Sequence, residues 1–263
     1  MNVLRHFLLA LQFFTRVPVT GRLAAWVGYS PQMLRASAAH FPGVGWMVGG
    51  VAAGVFALAA LGLPPLVAAL LSTVATVWLT GAFHEDGLAD VADGLGGSAQ
   101  RERALEIMKD SRIGAFGAIA LVLALGLKVA LLAAIAGQGA SVRAVAVALL
   151  AAHVLSRLAP LFLIRGLPYV GDSGASKSKP LADAISMPAL MVGVAWSIPA
   201  LLVLWQAQGA VKACAALLAG AIAAAWLARL LRRRLQGFTG DGLGATQQVC
   251  ELAIYLVLAW QPA

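Results

Sequence analysis

The sequence predicts an all-α fold, a polytopic transmembrane helical bundle of about six to seven spans with an interfacial helix at its N-terminus. Three observations carry that expectation. Of 263 residues, 61% are hydrophobic and 11% charged, and the mean hydropathy is +0.87; soluble domains carry about 45–50% apolar and about 25% charged residues. The apolar residues gather in stretches close to the about 20 residues that a spanning helix needs. The connections between them alternate between short, nearly uncharged joints and long polar segments. A water-soluble globule is excluded. The net charge of +8, which in a soluble chain would suggest nucleic acid, is explained by Lys and Arg retained on the cytoplasmic side.

Taken in order, the first 22 residues pair Arg5 with a short apolar run that holds Gln12 and is followed by Arg16 and Pro18. A small-residue cleavage signature is missing, so the segment reads as a retained interfacial helix with Leu4, Phe7, Leu8, Leu11 and Phe14 on one face. Spans are expected at about 40–62, 64–82, 113–136, 142–164, 187–207 and 211–231, with a shorter seventh at about 247–261. Gly62-Leu63-Pro64-Pro65, Gly137-Gln138-Gly139 and Gln208-Gly209 form the short joints. The long connections are 1–39, 83–112, 165–186 and 232–246, and with the adjoining span ends they hold fifteen of the 19 Lys and Arg residues. The positive-inside rule makes them cytoplasmic. The carboxylates fall in or beside the same connections, which favours chemistry at a cytoplasmic mouth over ion movement past acids at mid-depth. The whole of 1–263 reads as one integral-membrane domain. Cys214 and Cys250 lie in apolar segments without disulfide or zinc spacing.

The segment His84-Glu85-Asp86-Gly87-Leu88-Ala89-Asp90-Val91-Ala92-Asp93-Gly94 is the most informative. Spacings of 4 and 3 put Asp86, Asp90 and Asp93 on one face of a helix continuing the second span. Such a ladder repels itself, and no Lys or Arg occurs between Arg35 and Arg101. A hard divalent cation is the economical partner, and Mg²⁺ held by a few carboxylates and substrate phosphates is the usual arrangement. A second polar island, Gly237-Phe238-Thr239-Gly240-Asp241-Gly242-Leu243-Gly244, opens the last span. Its glycines let backbone N–H groups approach phosphate oxygens, and Asp241 offers a further metal oxygen or a general base. Lys109 and Arg112 before the third span, and Lys177 and Lys179 in the third long connection, are candidate phosphate clamps. Arg232-Arg233-Arg234 reads as topogenic or lipid-binding. His153 and Arg157 fall on adjacent turns of the fourth span, and Lys128 lies deeper with no partner assignable from sequence. Together these groups point to metal-assisted phosphoryl transfer on an amphiphilic substrate. A cation transporter with an acidic mouth is the reading from another class.

Five ordered motifs carry a resemblance. They are Leu11-Gln12-Phe13-Phe14-Thr15-Arg16-Val17-Pro18-Val19, Phe41-Pro42-Gly43-Val44-Gly45, Glu85-Asp86-Gly87 with Asp90 and Asp93-Gly94, Lys109-Asp110-Ser111-Arg112-Ile113-Gly114, and Gly237 to Ala245. On these the chain resembles the cobalamin synthase family, the adenosylcobinamide-GDP ribazoletransferases of bacterial vitamin B12 assembly. The resemblance implies a Mg²⁺-dependent inner-membrane enzyme that joins α-ribazole, or its 5′-phosphate, to adenosylcobinamide-GDP with release of GMP. It implies metal contacts from Glu85, Asp86, Asp90, Asp93 and Asp241, with Glu85 auxiliary. Asp93 and Asp241 are the catalytic candidates, and Thr239 and Arg16 join Lys109, Arg112, Lys177 and Lys179 as substrate contacts. Asp90-Val91-Ala92-Asp93-Gly94 is also similar to the first half of the CDP-alcohol phosphotransferase signature. Its second half is missing here, which leaves open both a related membrane phosphotransferase and the identity of the base.

Overall fold

The computed structural model describes residues 2–137, 142–171 and 185–261. Lys177 and Lys179, with most of the third long connection, and Gln138-Gly139 of the second joint lie outside the described residues. The chain is a multi-pass helical bundle. Five helices are long and apolar enough to cross a membrane, or six when the bent pair Pro65–Thr80 and Phe83–Gly97 is taken as one span.

Helix α1 (Asn2–Phe14), α2 (Gly21–Val27) and α3 (Pro31–Ser37) form the N-terminal layer. The aromatic face of α1 lies on the start of the first span, where Phe14 meets Phe41 edge-on at 4.4 Å between centroids, and on the later Met187–Leu235 helix, where Phe7 stacks on Trp196 at 5.7 Å. Leu4, expected on the same face, is exposed instead. A 3-10 turn (Ala38–His40) leads into α4 (Phe41–Ala59), which starts within a residue of the expected span and ends three residues before its expected end. The glycines after Phe41 have a packing reason. A Cβ at Gly45 would come within 2.8 Å of Val154 Cα, and one at Gly49 within 2.9 Å of Leu150 Cα, both on the helix packed against α4. Small residues allow this backbone approach where lipid supplies no hydrophobic drive between helices.

After the Gly62-Leu63-Pro64 joint, α5 (Pro65–Thr80) returns, its buried hydroxyls satisfied by main-chain oxygens such as Ala52 O (2.9 Å from Ser72 Oγ) and Ala69 O (2.9 Å from Thr73 Oγ1). The chain then continues through α6 (Phe83–Gly97), α7 (Arg101–Ile107), α8 (Ala115–Gly137), α9 (Val142–Ser156) and α10 (Ala159–Gly166). Helix α11 (Met187–Leu235) contains one non-helical residue, Gly209, at φ 83 and ψ 162. Both of its ends meet the end of α10: Arg165 Nη1 donates to Ile185 O at 3.2 Å, and Arg232 Nη2 donates to Gly166 O at 3.3 Å. The element is therefore a hairpin turned at Gly209, where a positive φ favours glycine, and each arm exceeds the about 20 residues of a span.

Helix α12 (Gly240–Ala259) starts seven residues before the expected seventh span. The Gly-rich stretch that reads as a loop is its first turn, capped by the Thr239 hydroxyl, which accepts from Gly242 N at 3.1 Å. This shift places Glu251 near the middle of α12 rather than near its first turn. There it meets Lys128, at 2.7 Å between Nζ and Oε1, with both side chains almost wholly buried. Gln247 Nε2 donates to Glu251 Oε2 at 2.6 Å and to Ser156 Oγ at 2.9 Å, and Arg157 Nη1 donates to His153 O at 2.9 Å. Lys128, unassignable from sequence, thus anchors α8 to α12. Replacing Lys128→Met leaves Glu251 without its ion-pair partner, and the loss is expected at about 3–5 kcal/mol. Unfolding in detergent should show it, and Lys128→Met combined with Glu251→Leu should recover most of the loss.

Candidate active site

The acidic helix does not continue α5. Gly81 and Ala82 both adopt left-handed backbone (φ 65 and φ 59), and α6 leaves α5 at 88°. Along α6 the three aspartates keep the spacing of one face, with Asp86 exposed, Asp90 half-buried and Asp93 buried. The first turn of α12 lies directly against them. A Cβ at Gly87 would stand 2.8 Å from Asp241 O, and one at Gly244 would stand 3.3 Å from His84 Cα. At Gly87 only glycine admits the backbone contact, and it sets Asp241 within electrostatic reach of the ladder. The charges that act on Asp90 are those of Asp241, Asp86 and Asp93, all of one sign, and Asp86 acts in turn on Asp241. Thr239 caps the helix and hydrogen-bonds Asp241 as well.

Asp93 has a second task. Its Oδ2 accepts from Gly114 N at 2.7 Å and its Oδ1 from Gly117 N at 2.8 Å, so a carboxylate of α6 caps the N-terminus of α8, where negative charge is favoured. A Cβ at either glycine would strike the Asp93 carboxylate. Asp93 also lines a cavity of about 530 Å³ with Arg103, Glu106, Asp110, Arg112 and Phe116. Arg112 pairs with Asp110 at 2.6 Å, and its guanidinium holds the exposed Asp110 carboxyl down to about 2. Lys109 is exposed on the same turn.

Other candidates are placed elsewhere. Arg16 donates its backbone N–H to Leu79 O at 2.7 Å and lines a separate groove between α5 and α8. Glu85 is buried, turned from the aspartate face, and its Oε1 accepts from Gln248 Nε2 at 3.0 Å. Gln248 also donates to Gln247 Oε1 at 3.0 Å, which joins Glu85 to the Lys128–Glu251 network. Sequence reasoning passed over Gln247, Gln248 and Ser156. Adjacent amides inside an apolar helix, one turn before a glutamate, were the available signal. Of the basic triplet, Arg234 Nη2 donates to Leu95 O (3.1 Å) and Ser98 O (2.5 Å), closing the C-terminus of α6.

Among the described residues, no three His, Cys, Asp or Glu side chains converge into a closed metal cage. The face offers carboxylate oxygens only, with Asp86, Asp90 and Asp241 repelling one another. That donor chemistry fits a hard cation which keeps several waters and takes one or two carboxylates plus substrate phosphates.

A family profile described as cobalamin-5-phosphate synthase matches residues 6–259. The chain belongs to the cobalamin-5-phosphate synthase family. Relatives called adenosylcobinamide-GDP ribazoletransferase agree along nearly the full length. The one from Polaromonas naphthalenivorans is 60% identical over 98% of this chain and 99% of its own. That from Leptothrix cholodnii is 54% identical over 96% and 94%, and that from Vibrio cholerae 43% over 97% and 93%. No solved structure matches. In this member of the synthase family, the Gly114 and Gly117 positions serve the Asp93 cap. Gly117→Ala is therefore expected to cost about 1–3 kcal/mol of stability, close to the cost of Asp93→Ala, as measured by denaturant unfolding in detergent.

Proposed function

We propose that this chain is a Mg²⁺-dependent adenosylcobinamide-GDP ribazoletransferase, a single-domain enzyme of the bacterial inner membrane whose site faces the cytoplasm. It joins α-ribazole, or its 5′-phosphate, to adenosylcobinamide-GDP and releases GMP. The observation that carries this reading is the opposition of Asp241 on α12 to Asp86 and Asp90 on α6, beside a cavity that holds Asp93 and Arg112. The names of the relatives and the family match support the reaction class. The Lys and Arg bias supports the cytoplasmic orientation.

In this assignment Asp86 and Asp90 would hold Mg²⁺, which supplies charge neutralisation to the diphosphate when bound, and Asp241 is kept for the proton. Asp241 accepts the proton of the ribazole 3′-hydroxyl as its oxygen attacks the cobinamide-linked phosphorus. The bond from that phosphorus to the bridging oxygen breaks, and the electron pair leaves with GMP. Asp241 is preferred to Asp93 for this step because both Asp93 oxygens are engaged by the α8 cap. Asp93 instead fixes the start of α8 and one wall of the cavity. Arg112, with Lys109 on the same turn, and Thr239 at the head of α12 orient phosphate oxygens. Lys177 and Lys179 remain proposed phosphate contacts, and Glu85 is assigned to positioning α6 through Gln248.

Asp90→Asn is expected to lower GMP release from adenosylcobinamide-GDP by at least about 10²-fold, the scale on which preorganised charge stabilisation acts, while the variant elutes from size exclusion in detergent like the parent. Undiminished turnover would overturn the reading. Chelation of divalent cations should stop GMP release in proteoliposomes and added Mg²⁺ restore it. GMP release that persists after complete chelation counts against the metal assignment.

A further inference from the structure

A furrow unrelated to the acidic cleft runs along the outside of the bundle. Its volume is about 480 Å³, within the range of small-molecule sites. One wall is the second arm of α11, where Gly220, Ala221, Ala224, Ala225 and Ala228 succeed one another, and the other is formed by Leu155, Leu158, Phe162 and Leu163 of α9 and α10 and the segment joining them. Cys250 and Ile254 of α12 form its floor. Small residues ordinarily let two helices close on each other; here they border open space. The lining is almost wholly apolar except at one end, where Arg229 and Arg232 stand, both exposed. Arg232 reaches Gly166 O at 3.3 Å, so this end coincides with the C-terminus of α10.

From Gly220 to Arg232 the furrow runs for about 18 Å at about 1.5 Å per residue, slightly more than half of the about 30 Å hydrocarbon core. That length suits one leaflet. A spanning helix from a second copy would need a groove through both. The arginine end lies on the face that the charge bias makes cytoplasmic, and anionic lipids concentrate in that leaflet.

We infer that this furrow is a binding site for one anionic phospholipid, its acyl chain lying along the Gly220–Ala228 wall and its phosphate held between Arg229 and Arg232. The occupant has a structural consequence. The furrow ends at Leu167, and the next residues clasp the start of α12: Phe238 N donates to Pro168 O at 3.0 Å and Val170 N to Phe238 O at 2.9 Å. Phe238 immediately precedes Thr239 and Asp241. A bound lipid therefore braces the clasp that sets the head of α12.

The test is native mass spectrometry of the full chain released from nanodiscs of mixed phosphatidylglycerol and phosphatidylethanolamine. Wild type is expected to retain one phosphatidylglycerol. R229Q/R232Q is expected to retain it about 25-fold less, since each arginine near a membrane surface adds about a factor of five, with phosphatidylethanolamine retention unchanged. R229K/R232K keeps the charge and is expected to keep the lipid, which separates binding from misfolding. Ala224→Phe fills the furrow and should abolish retention. Equal phosphatidylglycerol retention by wild type and R229Q/R232Q overturns the inference, as does a dimer in wild type that Ala224→Phe converts to monomer with lipid retention unaltered.

Discussion

The contact on which the site depends is the backbone approach of α6 to the head of α12 at Gly87. Any side chain there would press on the Asp241 carbonyl. The missing Cβ lets two helices distant in sequence bring their carboxylates within range of one another. That geometry is unfavourable on its own, because it opposes like charges in a partly buried cleft. Its persistence requires strong packing elsewhere and suits a site that receives a cation with its substrate. The 88° corner at Gly81-Ala82, the Arg234 contacts at the end of α6 and the Asp93 cap on α8 hold the acidic helix from three sides.

Beneath this cleft lies a second set of charges with the opposite logic. Lys128 and Glu251 are paired inside the bundle, with Gln247, Ser156, His153 and Arg157 around them. Such pairs add little to stability relative to apolar packing, because both ions lose their hydration, yet breaking one is costly. Their value is in specifying which helices meet. Gln248 extends the network to Glu85, the residue next to Asp86. The repelling carboxylates of α6 therefore rest on a helix whose other side is tied to a balanced, buried network.

Much of this was legible in the sequence because its cause is local. Apolar stretches mark spans, Gly-Pro joints mark turns, and the 4 and 3 spacing of Asp86, Asp90 and Asp93 survives intact on α6. Boundaries were less legible. The Gly237–Gly244 stretch carries the composition of a loop, and only the Thr239 cap and the close approach of α6 show why its glycines from Gly240 onward belong to a helix. Gly209 was visible as a joint, and the structure adds that both ends of its hairpin return to α10.

Composition and charge bias by themselves determined that this chain crosses a membrane several times with most of its acids and bases in the long connections, since hydrophobic burial and the positive-inside rule act on each segment independently. Periodicity determined which aspartates share a helix face. Only the tertiary structure decided that Glu85 turns from that face to the buried network, that Asp93 caps α8, that Lys128 finds Glu251 and that Asp241 stands against Asp86 and Asp90. Each of these pairs residues far apart in the chain, and their meeting is set by how helices pack, which no local pattern encodes.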